Sequence, residues 1–446
     1  LALEREHPMN LTHAITAHPT APGSAAADSA PVSCAYRSYV LFALAVVGFM
    51  CAVDKVVISM FMEPIKKEFG LSDTQLGLLT GLAFSAMGGI ASVPLARWAD
   101  RANRKWIIGG SFAAWTLMTG LSGMAGSYAQ LLAARIGVGI GEAGCIPATH
   151  SMLGDYYPRH LRPRALAVHS AGTYLGMLGG LLGGGILVQS VGWRAGFVWL
   201  GVAGAVLAAI FHFTVREPVR VDQPTLAPGG ASLWSQLGDA RAFWLLVMAF
   251  STTALAGQSV MVWLPSYFER AFALTPMQIG LGLGLGIGVA TAIGSIVGGQ
   301  MGVRYAGGSR SWGAGFAAGV TVVVMPFFLG SFYAPHPLLA FALLFAAFGT
   351  AGMILGPVFS TLQDLVAPQA RATALAVVAL FGVLVGQGLG PLLVGALSDA
   401  LQVKGANADG LRTAMTLVAL INFLTIVAFA LLKRRIDTLS ARPAVP

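Results

Sequence analysis

Apolar residues run along this chain in long blocks separated by short polar breaks. A helix needs about 20 predominantly apolar residues to cross the hydrocarbon of a bilayer. Twelve blocks meet that length, roughly 37–62, 73–98, 105–125, 128–153, 164–189, 194–214, 242–270, 276–301, 311–333, 337–361, 371–399 and 412–432. The pattern predicts an all-α integral membrane protein of twelve transmembrane helices. The longest break, 215–241 (VREPVRVDQPTLAPGGASLWSQLGDAR), falls midway, is polar and contains Pro and Gly. It reads as a linker between a six-helix bundle at 37–214 and a second at 242–432. Residues 1–36 lack the basic start and apolar stretch of a signal peptide and read as a disordered tail. Residues 433–446 read as a C-terminal tail.

Composition agrees with the pattern. The 446 residues are 56% hydrophobic and 10% charged, where a soluble protein carries about 25% charged residues. The net charge of +9 raises a nucleic-acid reading. The basic residues instead sit between apolar runs and make no stripe on a soluble domain. With both termini cytoplasmic, 19 Lys and Arg fall on the cytoplasmic side and 6 on the other, which predicts a multi-pass protein of the inner (plasma) membrane with both ends inside. Of the cysteines Cys34, Cys51 and Cys145, two lie in apolar segments, so no disulfide framework is implied.

The two halves repeat. DYYPRHLRPRALAV (155–168) and DLVAPQARATALAV (364–377) match at an offset of 209, and LSDTQLGLL (71–79) and LTPMQIGLG (274–282) at 203. Ser72 and Thr275 occupy the N-cap position before helices 2 and 8. A duplicated half around a linker is the architecture of a rocking transporter with its site at the repeat interface near the midplane. Glycines at every fourth position stripe helix 2 (Gly77, Gly81), helix 5 (Gly172, Gly176, Gly180, Gly184), helix 8 (Gly280, Gly284, Gly288) and helix 11 (Gly382, Gly386, Gly390). Such stripes permit close backbone approach, and their equivalent places predict a sliding interface between the halves.

Candidate chemistry concentrates in RIGVGIGEAG (135–144). Arg135 and Glu142 lie seven residues apart, hence on one helix face and roughly 10 Å apart along the axis. Each needs a partner elsewhere. The other deep ionisable groups are Asp54 and Lys55 in helix 1. An ionisable side chain at the bilayer centre costs at least about 2.5 kcal/mol and marks function by default. Burial raises a carboxylate's pKa and a nearby cation lowers it. Glu142 and Asp54 are therefore assigned as proton-linked carboxylates, and Arg135 as the cation that tunes them or meets an anionic substrate, with Lys55 beside it. A fixed ion-pair network joining helices 1 and 4 is the alternative. Gly137, Gly139, Gly141 and Gly144 are read as clearing space for these side chains or for substrate. Gln258, Gln387, Tyr174, Trp263 and Phe381 are further candidates to line a cavity. His150 and His169, near helix ends, are weaker candidates for a proton relay. No metal-ligand spacing, phosphate-cradling loop or nucleophile–base pair appears. The reading is secondary transport with no cofactor, and not an enzyme.

RWADRANRKW (97–106), between helices 2 and 3, resembles the loop signature of the major facilitator superfamily. The resemblance implies that Asp100 meets the start of helix 11 and that Arg101 or Arg104 meets Asp155, latching the cytoplasmic side. The second-half counterpart VRYAGGSR (303–310) has Val303 in place of the acid, so the latch should be one-sided. AVDKVVISM, RIGVGIGEAG, WLPSYFER and GQGLGPLLVGALSD resemble the Spinster family, which implies a central cavity lined by helices 1 and 4, a proton-coupled mechanism and a lipid-like substrate. The helix-1 Asp followed by a base is shared with proton-coupled importers of sugar acids and other small organic anions, which remain the first alternative; a non-transporting membrane sensor is the second. The second half offers amides, hydroxyls and aromatics at the midplane but no charge. A headgroup is expected near Arg135 and an apolar tail against the second half, with chain length mattering weakly. The partners expected are a small amphipathic or anionic substrate, protons and membrane lipid, with no nucleic acid and a monomeric chain.

Overall fold

The computed structural model describes residues 33–158, 160–218, 239–305, 309–367, 370–402 and 407–440. Residues 219–238 of the expected linker (215–241), residues 1–32 of the expected tail (1–36) and the last residues from 441 lie outside them. Twelve helical rods follow one another: α1 (Cys34–Phe69), α2 (73–101), α3 (Arg104–Gly123), α4 (Tyr128–Tyr156), α5 (Arg162–Ser190), α6 (Gly192–Thr214), α7 (Ala240–Phe272), α8 (Pro276–Tyr305), α9 (Trp312–Phe332), α10 (Pro337–Leu365), α11 (371–400) and α12 (407–440). Eleven are long and apolar enough to cross a membrane. The other, α3, opens on Arg104 and Lys105 and carries several Ser, Thr and Gly. It lies against α4 and α6, where Gly204 faces Thr116 and Gly201 faces Gly120.

The rods outrun their apolar blocks because hydropathy ends before the backbone does. Helix α1 passes through Pro64 and the polar turn of Lys66 and Lys67, and stops at Gly70 in the left-handed region (φ 65°). Helix α12 continues to Ser440, so the first part of the expected tail is helical. There Arg435 bonds Asp239, the N-cap of α7, at 2.7 Å.

The repeat is visible in local geometry. Gly70 before α2 and Ala273 before α8 both take the left-handed conformation (φ 65° and 52°). Ser72 with Gln75 and Thr275 with Gln278 then close matching capping boxes, each satisfying two orphan amides at a helix start. Helices α4 and α10 break at equivalent points, after Glu142 and after Gly352. Helices α2, α8 and α11 each carry a π turn, at Leu78–Leu82, Gly284–Val289 and Gly382–Leu389.

An even number of rods puts both ends of the described chain on one face, here the terminal face; the opposite is the far face. The halves meet along α2 with α11 and α5 with α8. The glycine stripes divide. On α2, a side chain at Gly77 would come within 2.5 Å of the Pro391 carbonyl, and one at Gly81 within 2.6 Å of that of Gly388. Gly280, Gly284 and Gly288 of α8 likewise face Leu181 and Leu178 of α5. The stripes on α5 and α11 turn away from the interface. Gly172, Gly176, Gly180 and Gly184 seat α1 at Ala45, Phe49, Val53 and Val57, while Gly382, Gly386 and Gly390 seat α7 at Phe250, Ala254 and Ser259. Only two of the four stripes lie between the halves; the others bind each half together.

Candidate functional site

The glycines of helix 4 act through packing. Gly139 presses on the backbone of Phe84 in α2, and Gly141 on that of Trp115 in α3, where an added Cβ would sit 2.8 Å from the amide nitrogen. They do not admit substrate, as the sequence had suggested. They draw α4 against α2 and α3, and its charged residues meet α1.

Two separate ion pairs result. Arg135 Nη1 lies 3.4 Å from Asp54 Oδ2, and the Thr119 hydroxyl donates to Asp54 Oδ1 at 2.6 Å. This pair is sealed, with Arg135 only 2% exposed. Its guanidinium lies within 6 Å of the rings of Phe84 and Phe197, close enough for cation–π attraction. Its Nε has no partner. The second pair joins Lys55 Nζ to Glu142 Oε1 at 2.5 Å. The Cys51 thiol, one turn before Lys55, donates to the same oxygen at 2.8 Å, while Glu142 Oε2 is buried without a partner. Here the members differ: the Lys55 side chain is 31% exposed and that of Glu142 5%.

Lys55 is exposed to a cavity of about 380 Å³ between the halves. Cys51, Lys55, Arg135 and Cys145 border it on the first half, and Gln258, Met261 and Gln387 on the second. Tyr174 borders it too, and its hydroxyl reaches Ser295 of α8 at 3.4 Å. His150 and His169 stand edge to face (centroids 5.5 Å apart) on its wall nearer the terminal face. Two expected lining residues are elsewhere. Trp263 is fully buried; its indole donates to the Pro391 carbonyl at 2.9 Å and its ring lies under Arg270. Phe381 packs edge-on to Trp244, near the terminal-face end of α7. Both belong to the frame because α7 and α11 turn those faces toward each other.

The faces differ. At the far face, Arg270 bonds Asp73 through two parallel contacts of 2.7 Å and Glu63 at 2.6 Å. Lys66 adds to Asp73 at 2.6 Å, and Lys67 reaches Glu269 at 2.8 Å. Asp399, ending α11, accepts from the amides of Asp73 and Thr74 at 3.0 and 2.8 Å. None of these far-face residues was singled out by pattern. At the terminal face, Arg104 bonds Asp155 at 2.5 Å and Glu217 at 2.8 Å, all within the first half. The side chains of Asp100 and Arg101 lie outside the described residues. Among the described residues, ion pairs join the halves at the far face, and those at the terminal face stay within one half.

Twelve helices in two repeated halves around a charged midplane cavity make a membrane transporter. A sequence profile of the Major Facilitator Superfamily matches residues 44–386. An MFS-type efflux pump of Mycolicibacterium smegmatis is 31% identical over 395 residues, covering 88% of this chain and 91% of that protein. A probable L-galactonate transporter of Escherichia coli is 29% identical over 257 residues, 54% of this chain and 55% of that protein. A crystal structure of a bacterial homologue of the human lysosomal transporter Spinster, inward-facing and occupied, aligns with a TM-score of 0.81 at 27% identity, over 93% of this chain and 100% of that one. The chain belongs to the major facilitator superfamily and is a transporter of the Spinster type.

Proposed function

We propose that this transporter moves an amphipathic anion by alternating access, coupled to protons, across the inner membrane with both termini in the cytoplasm. The observation that carries the reading is the unequal exposure of the Lys55–Glu142 pair (31% against 5%) at the cavity wall. While Glu142 is ionised it neutralises Lys55. A proton on Glu142 removes that charge and leaves Lys55 facing the cavity uncompensated, and an unpaired buried charge is costly. An anionic headgroup then becomes the favourable partner. Proton and anion therefore bind together, and by linkage each tightens the other. Asp54, paired with Arg135 and bonded by Thr119, is the second proton-linked carboxylate. Because Arg135 is engaged by Asp54 and two rings, Lys55 is the cation that meets substrate. Gln258, Gln387 and Tyr174 would hold the rest of the headgroup. Asp100 and Arg101, with the Arg104–Asp155 pair, would close the terminal face when the far face opens.

The test is anion binding and proton flux in Glu142→Gln. Wild type should bind a long-chain anionic amphiphile more tightly as pH falls. The variant, with Lys55 permanently freed, should bind it at all pH values and lose proton-driven accumulation. Unchanged proton flux in a folded variant would overturn the assignment.

A second reading, a proton-coupled carrier of small organic anions, draws on the half-length match to a galactonate transporter. The cavity of about 380 Å³ also sits near the lower end of small-molecule pockets, which span about 300–1,000 Å³. Ligand-induced thermal stabilisation separates the two. Response to a short polar anion with none to any amphiphile would favour this second reading.

A further inference from the structure

Gly257 is unlike the glycines that seat one helix on another. It faces the interior of the second half, and a side chain there would meet nothing within 4 Å. It borders a chamber of about 200 Å³ lined by α7, α8, α9, α10 and α12, with Met177 of α5. Met177, Gln258 and Met261 border both this chamber and the central cavity, so the two adjoin, and Gln258 stands at the mouth that would join them. Across from that mouth the rings of Phe328 and Phe348 meet edge to face at 5.3 Å. The hydroxyls of Thr253 and Thr321 are engaged by carbonyls of their own helices at 2.8 Å, so they offer the chamber no free donor. Thr291 and Asn422 are its remaining polar lining, too little to bind a second charged group.

From this we infer that the chamber receives the first part of the substrate's apolar chain, unbranched, and that its size sets a chain-length limit. The inference rests on the amphiphile reading of the central cavity. At about 200 Å³ the chamber falls below the roughly 300 Å³ at which pockets hold whole ligands. Chain length thus matters strongly until the chamber fills and weakly beyond it, a revision of the expectation that it matters weakly throughout. Lipid competes for a tail at the membrane surface, but a chamber inside the second half reads length until it is full.

The experiment uses the full chain in lipid nanodiscs and straight-chain alkyl phosphates from butyl to dodecyl, below their micelle concentrations. In wild type, affinity should rise about threefold to fourfold per methylene, the yield of burying one from water, and level off within the series once the chamber is full. Gly257→Leu fills the chamber with a residue favoured in helices. It should bind butyl phosphate more weakly than wild type and show no rise with length. Gly257→Ala should leave most of the rise. A rise in Gly257→Leu parallel to wild type overturns the chamber inference while leaving the amphiphile reading in place. Failure of every alkyl phosphate to bind wild type overturns both.

Discussion

The far face and the terminal face hold the two halves in opposite ways. At the far face the ions cross the divide: Arg270 and Glu269 of the second half meet Asp73, Glu63 and Lys67 of the first. At the terminal face, among the described residues, each pair stays home. Arg104 serves Asp155 and Glu217 in the first half, and Arg435 serves Asp239 in the second. Buried ion pairs add little to fold stability compared with apolar packing. Pairs made in only one of two conformations have another use: they bias the equilibrium between them by their full differential energy. On the alternating-access reading proposed above, the far-face clasp is of that kind, whereas the terminal-face pairs each lie within one half and stay made when the halves part.

Breaking the clasp should therefore have the largest effect. Arg270→Ala leaves Glu63 without its cation and Asp73 with Lys66 and Ser398 alone. Removing one member of such a dry cluster costs about 3 kcal/mol or more, roughly a hundredfold in the population of the closed far face. Spin labels at the far-face ends of α5 and α8 should show a new, longer distance. A distribution identical to wild type would mean that the glycine-lined packing alone keeps that face shut.

A finer contrast lies within the far face. Each half caps a helix of the other. Asp399 of α11 accepts from the first amides of α2, and Gln189 of α5 accepts from the Met277 amide of α8 at 3.1 Å. The first cap is a carboxylate at a helix N-terminus, where the dipole adds about 0.3–1 kcal/mol; the second is a neutral amide. Asp399→Asn should widen the far face by a few-fold in population, and Gln189→Glu should tighten it by a similar factor. Equal indifference to both would show that the helix ends contribute no bias. The same spin-label pair reads both variants.

Much of this was legible before the structure. Asp54, Lys55, Arg135 and Glu142 stand out because charge in an apolar run is costly, and helical spacing already forbade Arg135 from pairing with Glu142. Pattern could not say which carboxylate each cation takes, since that depends on how α1 is rotated against α4. Thr119 carried no signal, and Cys51 only its one-turn spacing from Lys55. The far-face clasp was overlooked for a different reason. Asp73, Arg270 and Asp399 sit at helix ends, where charge counting treats them as topology. Yet WLPSYFER and GQGLGPLLVGALSD, the segments that carried the family resemblance, contain Arg270 and Asp399. Trp263 was read as cavity lining because an aromatic in mid-helix reports depth, not direction. The glycine stripes erred likewise: spacing by four marks a helix face, and only the fold says which neighbour it meets.

The smallest effect is expected at the terminal face, where the Asp239–Arg435 pair joins the start of α7 to the end of α12. Burial pushes the Asp239 carboxyl up, but hydrogen bonds from Arg435 and the Ala242 amide, together with the Arg435 charge, outweigh it and hold it below the usual carboxylate range. Its folded-state pKa is thus below its unfolded value of about 3.9. The unfolded chain takes up a proton there first, so the stabilisation is fully present above about pH 4 and fades as pH falls through the folded value. Asp239 also caps α7, and the exposed side of the pair limits the ionic part to about 0.2–1 kcal/mol. Asp239→Asn keeps the cap and removes the charge. Its melting temperature should lie slightly below wild type at neutral pH and converge with it below about pH 4. The spin-label distances across the far face should not move, because both partners lie in one half and neither is released when the halves rock. A shift in those distances would mean that the terminal-face pairs also sense the opening, and the contrast between the two faces would fail.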